Sequence, residues 1–126
     1  MERGAVIVAG FGYRGGTALS SCEAALALAQ HGHPPVTALA APDDKIALLA
    51  PLAERRGLAL LAIPADAVAG IATPTTSPPS LKARGTGSVA EAAALVAAGK
   101  GARLLSCRHI SPDRMATCAI AQGPST

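Results

Sequence analysis

A glycine-rich stretch with one fixed positive charge carries the clearest chemical signal in this sequence. Residues 10–15 read GFGYRG and follow the apolar run AVIVA. Glycine permits φ > 0 and lets backbone N–H groups come close to a ligand, so such a turn can face an anion. Gly10, Gly12 and Gly15 also have the spacing of the dinucleotide-binding fingerprint, with Arg14 among them. The stretch therefore predicts an anion site directly after a buried strand.

Two Ser-x-x-Glu motifs fit either a catalytic role or a helix-capping role. Ser20 with Glu23, and Ser88 with Glu91, have the spacing of a capping box at a helix N-terminus. For Ser88 and Glu91, a capping role accounts for both residues. Because a carboxyl group can also transfer protons, Glu91 is kept as a candidate general acid or base.

The cysteines and histidines do not have the spacing of a metal site. The three cysteines are odd in number and lack C-x-x-C spacing, which predicts reduced, packed thiols and no metal. Cys118 and His109 would form a nucleophile–base pair only if the fold brought them together. His31 and His33 lie in a turn sequence without a nearby acidic or thiol ligand, so we expect them to be solvated. The cysteines are Cys22, Cys107 and Cys118.

Composition and charge restrict the function classes that the chain fits. Half of its 126 residues are hydrophobic but only 2% are aromatic, and Phe11 and Tyr13 either plug the end of the sheet or face a ligand. The formal net charge of +3 comes without blocks of Lys and Arg, which favours a small anionic partner over nucleic acid. No apolar run approaches the roughly 20 residues of a membrane span, and residues 1–4 do not resemble a signal peptide. These features predict one cytoplasmic domain over residues 1–126, without a membrane partner.

Strand and helix patterns alternate along the sequence. Asp43 or Asp44 is the expected N-cap of the second helix, and Pro51 is expected to kink that helix or begin a new one. The connection 108–114 is too short for a crossover helix, so the last two strands should pair antiparallel. The pattern predicts a three-layer α/β/α fold around a mixed, mostly parallel sheet of about five strands. The predicted strands are 5–9, 35–41, 58–63, 102–107 and 115–121. The predicted helices are 24–30, one that starts at 42–45 and has Pro51 within its pattern, 65–70 and 88–98.

The carboxyl ends of parallel strands lie at one edge of a sheet, and ligands bind there in folds of this class. The glycine-rich stretch follows the first strand, and residues 42–45 follow the second. The connection 108–114 and the segment 85–91 can reach the same edge. We therefore expect a basic, anion-binding edge. The residues expected to converge there are Arg14, Lys45, Arg84 and Arg108.

Four motifs occur in an order that is familiar from one protein family. They are GFGYRG at 10–15, Asp44-Lys45, GTGSVAEAAAL at 85–95 and TCAIA at 117–121. Together, over about residues 4–122, they resemble the CobE/CbiG C-terminal-domain family of cobalamin biosynthesis, in its stand-alone CobE form. Arg108 is a departure, because that family commonly has a lysine there. The charge is kept, but a guanidinium does not readily serve as a neutral base.

The resemblance implies a cytoplasmic protein of corrin-ring synthesis that binds or handles a precorrin-type tetrapyrrole, without a cofactor. Other enzymes of cobalamin biosynthesis are the implied protein partners. CbiG proteins open the ring-A δ-lactone of cobalt-precorrin-5A and release acetaldehyde, so a lactone hydrolase is one alternative. A small nucleotide-binding module is the other. Whether this chain catalyses a reaction stays open at this point.

Corrinoid intermediates carry several carboxylates around a flat apolar ring, and this chemistry assigns roles to the candidate residues. Arg14 and Lys45 are expected to contact carboxylates. Gly10, Gly12 and Gly15 are expected to shape the turn. The motif match adds Ser88, Arg108 and Thr117 as ligand-binding candidates and Glu91 as the catalytic candidate.

Overall fold

Strands and helices alternate along the part of the chain that the computed structural model describes, residues 6–76, 81 and 85–123. The strands are β1 (Ile7–Tyr13), β2 (Ala38–Pro42), β3 (Ala59–Ile63), β4 (Arg103–Ile110) and β5 (Ala116–Gln122). The helices are α1 (Leu19–Gln30), α2 (Ala50–Arg56), α3 (Ala65–Val68) and α4 (Val89–Ala98), and a 3₁₀ helix (Ile46–Leu49) precedes α2. None of the described helices is long and apolar enough to cross a membrane.

The five strands form one mixed sheet in the order β3-β2-β1-β5-β4. β1 pairs parallel with β2, and β2 pairs parallel with β3. β5 runs antiparallel to both β1 and β4, so four of the five strands point the same way. The predicted mixed α/β fold is confirmed. The antiparallel pairing of β4 and β5 is confirmed as well, since their short connection leaves no room for a crossover.

Two apolar clusters cover the two faces of the sheet and produce the three layers. On one face, Leu26 of α1 and Leu52 of α2 pack in the same cluster as Phe11 of β1. On the other face, the alanines of α4 pack in a cluster with Val8. Side chains alternate along β1, so neighbouring residues belong to opposite faces. Phe11 is fully buried and lies in the core.

The glycine-rich stretch is not a turn over its first four residues, which corrects the prediction from sequence. β1 continues through Tyr13 because β5 pairs with it along its whole length, from Ile7 opposite Gln122 to Tyr13 opposite Ala116. Gly10 is needed for a different reason than conformational freedom. A Cβ there would lie 2.2 Å from the carbonyl oxygen of Ala90 in α4. The missing side chain therefore lets α4 pack directly on the strand.

The expected caps of the first two helices are wrong. α1 begins at Leu19 after Ala18 and has no side-chain cap, so Ser20 lies inside its first turn. Neither aspartate is the N-cap residue after β2, because the 3₁₀ helix begins at Ile46 behind Lys45 and has no side-chain cap. The N–H of Asp43 still bonds to the carbonyl of Ile63 at the end of β3. The chain turns only afterwards, and Lys45 precedes the 3₁₀ helix.

Several element boundaries differ from the sequence prediction. β2 begins at Ala38, later than predicted, and Pro35 cannot join the ladder because proline has no N–H. β4 continues to Ile110, which pairs with Thr117 of β5. Pro51 lies in the first turn of α2. Of its two predicted outcomes, a kink in the helix or the start of a new one, the structure shows the second.

Candidate functional site

The structure brings the glycine-rich stretch and the segment after β2 together around one cleft. β1 and β2 are parallel neighbours, so the chain leaves both strands at the same edge of the sheet. The cleft has a volume of about 240 Å³. We call it the Tyr13 cleft, and its lining residues are Tyr13, Arg14, Gly15, Gly16, Thr17, Asp44, Lys45, Ala47 and Leu48. Three of the predicted ligand-binding residues, Arg14, Gly15 and Lys45, therefore line one cleft.

A tight turn after β1 forms one wall of the Tyr13 cleft. The carbonyl oxygen of Arg14 accepts hydrogen bonds from the N–H of Thr17 at 3.2 Å and from Thr17 Oγ1 at 2.5 Å. Gly16 has φ +81°, a conformation that favours glycine. The N–H groups of Gly15 and Gly16 make no hydrogen bond to another described residue. The turn is thus held in place while its two glycine N–H groups stay free for a ligand.

Tyr13 is the residue of this cleft whose environment is most unusual. Its hydroxyl oxygen is buried and has no hydrogen-bond partner among the described residues. Burial, with smaller contributions from Cys22 and Asp44, raises the pKa of Tyr13 to about 12. The ammonium of Lys45 lies over the ring, 5.8 Å from its centroid, within reach of a cation–π interaction. The phenol therefore stays protonated at neutral pH, and its hydroxyl has no acceptor within the described part of the chain.

The charges that line the cleft favour an anion. Arg14 and Lys45 form no ion pair with another described residue, whereas Arg55 and Glu23 pair elsewhere at 2.8 Å. Asp44 also lines the cleft. The cations that line the cleft therefore outnumber its one carboxylate. The cleft can therefore attract a carboxylate or a phosphate.

A second group of predicted residues lies on the opposite face of the sheet, at the start of α4. Thr117 Oγ1 donates a hydrogen bond to the carbonyl oxygen of Gly12 at 3.1 Å. A Cβ on Gly12 would lie 3.3 Å from Cβ of Val89, so this glycine also serves close packing. Ser88 caps α4, accepting a hydrogen bond from the N–H of Glu91 at 3.3 Å. None of these predicted residues lines the Tyr13 cleft.

Glu91 has a role that capping does not explain. Its side chain is fully buried, and the carboxylate does not return to Ser88. Oε1 accepts from the N–H and the hydroxyl of Thr75 at 3.1 and 2.9 Å, and Oε2 accepts from the N–H of Arg108 at 2.8 Å. The prediction that the capping box explains both of its residues is correct for Ser88 and wrong for Glu91. The use of Glu91 as an acid or base stays a prediction.

Arg108 lies in β4, close to the segment with Thr75, which bonds to Glu91. Its guanidinium donates a hydrogen bond to the carbonyl oxygen of Thr76 at 3.5 Å. It is absent from the lining of the Tyr13 cleft. The expected convergence of basic residues is therefore limited to Arg14 and Lys45 among the described residues, and Arg84 lies outside them.

The thiols are mostly packed, as the sequence predicts. Cys118 lies opposite His109 in the β4–β5 ladder, but its thiol is fully buried and its Sγ contacts the carbonyl oxygen of Ala119 at 3.9 Å. Burial, and then Cys22, raises the pKa of Cys118 well above its usual range. Such a thiol is a poor nucleophile. Cys107 differs from the prediction, because it is exposed on an edge strand.

The comparison with protein families shows which family the chain belongs to. The family described as Cobalamin synthesis G C-terminus matches residues 7–121. The chain belongs to this family. The resemblance drawn from the four sequence motifs is thus confirmed, and the protein is a cobalamin biosynthesis protein of the CobE/CbiG family.

Two solved structures of this family are similar over nearly the whole chain. One is CobE, described as a protein from the cobalamin (vitamin B12) biosynthetic pathway, with 25% identity and a TM-score of 0.81 over 100% of this chain and 96% of that one. Another is the cobalamin biosynthesis protein chiG from Agrobacterium tumefaciens str. C58, with 36% identity and a TM-score of 0.68 over 94% of this chain and 98% of that one. A search of curated proteins finds no match.

Proposed function

We propose that this family member binds a precorrin-type tetrapyrrole at the Tyr13 cleft and presents it to another enzyme of cobalamin biosynthesis. The observation that carries the proposal is that Arg14 and Lys45, from two different loops, line one cleft beside two free glycine N–H groups. The description of CobE as a pathway protein supports the assignment to corrin synthesis.

The chemistry of the cleft suits the carboxylates of such a ligand. A guanidinium binds a carboxylate through two parallel hydrogen bonds, and an ammonium binds it as a point charge. Backbone N–H groups in a turn with positive φ add further donors for an anion. The cleft is open to solvent at Arg14, so salt would screen part of the attraction. Binding through these groups is therefore expected to weaken as ionic strength rises.

A titration with hydrogenobyrinic acid tests the proposal, with the tetrapyrrole absorbance as the readout. Arg14→Ala and Lys45→Ala each remove one charged contact and should weaken binding about tenfold, or about 1.4 kcal/mol. Arg103→Ala is the matched control. Arg103 is exposed at the start of β4, at the other edge of the sheet, and its loss changes the net charge by the same amount.

Two results would contradict the proposal. Either the wild-type protein leaves the absorbance of hydrogenobyrinic acid unchanged, or Arg103→Ala weakens binding as much as Arg14→Ala does. The second result would mean that the ligand responds to overall charge and not to the cleft.

The two alternatives have less support. A lactone hydrolase would use Glu91, but both oxygens of that carboxylate accept hydrogen bonds within the protein and the side chain is fully buried. A dinucleotide site would need a glycine turn that opens a helix, whereas Gly10 and Gly12 lie in β1 and α1 begins only at Leu19. Acetaldehyde release from a lactone-bearing precorrin remains the direct test of the hydrolase.

A further inference from the structure

The outer side of β3 has backbone hydrogen-bonding groups that pair with no described strand. β3 is an edge strand of the sheet, and β2 pairs with its inner side. The N–H of Ala59 and the carbonyl oxygen of Ile63 bond to residues that flank β2, so both residues face inward. Successive strand residues direct their N–H and C=O groups to opposite sides. Leu60 and Ala62 therefore direct theirs outward.

β3 also lacks the charged side chains that often keep an edge strand from pairing. Its sequence is ALLAI, in which Ala62 is exposed and Leu60 and Leu61 are half-buried. The other edge strand, β4, carries Arg103 and Arg108, and its pairing with β5 has register shifts. Charges and bulges on an edge oppose the addition of a further strand. Of the two edges, that of β3 is the one suited to a partner strand.

We propose that β3 pairs antiparallel with β3 of a second copy of this chain, so that two five-stranded sheets join across a two-fold axis at Leu61. In this register Leu60 lies opposite Ala62 of the other copy, and the outward-facing residues of the two strands meet each other. Each such pair exchanges both of its N–H···O hydrogen bonds. Pro64 ends the pairing on either side of this centre, because proline has no N–H.

The leucines of β3 supply apolar contacts for this interface. Leu61 packs at the border of the cluster that contains Val8, and Leu60 at the border of the cluster that contains Phe11. On the two-fold axis Leu61 meets its own copy in a pair that is not hydrogen-bonded, where side chains approach most closely. Both leucines lose exposed surface, and the two apolar clusters continue across the interface.

The charges that flank β3 favour an antiparallel copy over a parallel one. Arg56 ends α2 just before β3, and Asp66 lies in α3 just after it. Both are exposed, and neither forms an ion pair with another described residue. Antiparallel pairing places the basic end of each β3 beside the acidic end of the other, whereas parallel pairing would bring like charges together. It also places the two Tyr13 clefts at opposite edges of the joined sheet.

Sedimentation velocity of the whole chain tests the inference, whatever the Tyr13 cleft binds. The wild type should sediment as a dimer at high protein concentration and as a monomer after dilution. Ala62→Pro removes an outward-facing N–H and should raise the Kd of the dimer at least about tenfold. Ile110→Pro is the matched control on the other edge of the sheet. Because the N–H of Ser111 bonds to Ala116 of β5, that of Ile110 faces outward, and its loss should leave the dimer unchanged.

Two cysteine variants test the register, in a Cys107→Ser background that removes the exposed native thiol. Leu61→Cys places two thiols opposite each other on the two-fold axis, at the Cα separation that a disulfide needs. Oxidised glutathione should link this variant into a covalent dimer, seen on a non-reducing gel. Ala62→Cys is the control, because its two copies lie diagonally across the axis and too far apart for a disulfide.

Three results would overturn the inference. A wild type that stays monomeric at every concentration has an unpaired β3 edge. A dimer that Ala62→Pro leaves as tight as the wild type forms through another surface. Equal cross-linking of Leu61→Cys and Ala62→Cys means that the strands do not meet in this register. Circular dichroism shows whether each variant folds, and the two cysteine variants decide the question if Ala62→Pro does not.

Discussion

Glu91 Oε2 accepts a hydrogen bond from the backbone N–H of Arg108 at 2.8 Å, so a buried carboxylate joins the first turn of α4 to β4. The other oxygen, Oε1, accepts from the N–H and the hydroxyl of Thr75. One side chain thus holds three separate segments of the chain together. A carboxylate suits this position because it accepts on both oxygens and has no proton to donate.

The Glu91 contacts predict that Glu91→Gln destabilises the protein. One side of the new amide is an NH₂ donor, and it would face the N–H of either Thr75 or Arg108. The unmade hydrogen bonds should cost about 2 kcal/mol in the free energy of unfolding, measured by urea denaturation. Glu54→Gln, on the exposed side of α2, is the matched control and should have little effect. Unchanged stability with lost turnover would instead support an acid–base role for Glu91.

The close approach of α4 to β1 predicts a severe effect of Gly10→Ala. The added Cβ would lie 2.2 Å from the carbonyl oxygen of Ala90 and 2.5 Å from the nitrogen of Ala94, and a helix backbone cannot move away locally. We expect a loss of about 3 kcal/mol or failure to fold, measured by thermal denaturation and soluble yield. Gly15→Ala is the control, since a Cβ there meets nothing within 4 Å. Equal stability of the two variants would contradict this packing.

The two Ser-x-x-Glu motifs predict different losses of stability when the serine of each is replaced by alanine. Ser88→Ala removes the side chain that caps α4 and should cost about 1 kcal/mol. Ser20→Ala should be close to neutral, because Ser20 is exposed inside α1 and caps nothing. Urea denaturation of both variants under identical conditions measures the difference. A larger loss for Ser20→Ala would mean that α1 begins later than Leu19.

Asp113 predicts a loss of stability in acid. Its carboxylate accepts hydrogen bonds from Ser111 Oγ at 2.5 Å, from Ser21 Oγ of α1 and from the N–H of Met115 at 3.1 Å. These bonds, that of Ser111 first, hold the pKa of Asp113 below its usual 3.8. The stabilisation is therefore complete above the pKa of the unfolded chain and is lost as pH falls through the lower pKa of the folded state.

A comparison of Tm against pH for the wild type and Asp113→Asn measures this contribution. The wild type should be the more stable of the two near neutral pH, and the difference should shrink below about pH 4. Glu54→Gln again serves as a control for the loss of one surface carboxylate. A difference between wild type and Asp113→Asn that stays constant down to pH 2 would contradict the prediction.

The sequence by itself determined those helix boundaries that depend only on residues close together in the chain. The cap at Ser88 and the stop at Gly99 define α4 from neighbouring residues alone, and both were predicted. The place of Pro51 in the first turn of α2 is one of the two outcomes that the fixed φ of proline predicted. The four ordered motifs also determined the family, because a family is defined by its sequence.

Only the tertiary structure decided the roles that depend on residues far apart in the chain. Gly10 and Gly12 look like a turn by composition, yet pairing with β5 keeps them extended, and α4 packs where their side chains would be. Ser88 and Ser20 begin equivalent motifs, but only Ser88 lies where its helix starts. The carboxylate of Glu91 bonds to Thr75 and Arg108 and not to the N-cap residue, because a buried carboxylate needs hydrogen-bond partners for both of its oxygens. The Tyr13 cleft exists only because parallel pairing of β1 and β2 brings two loops to one edge of the sheet.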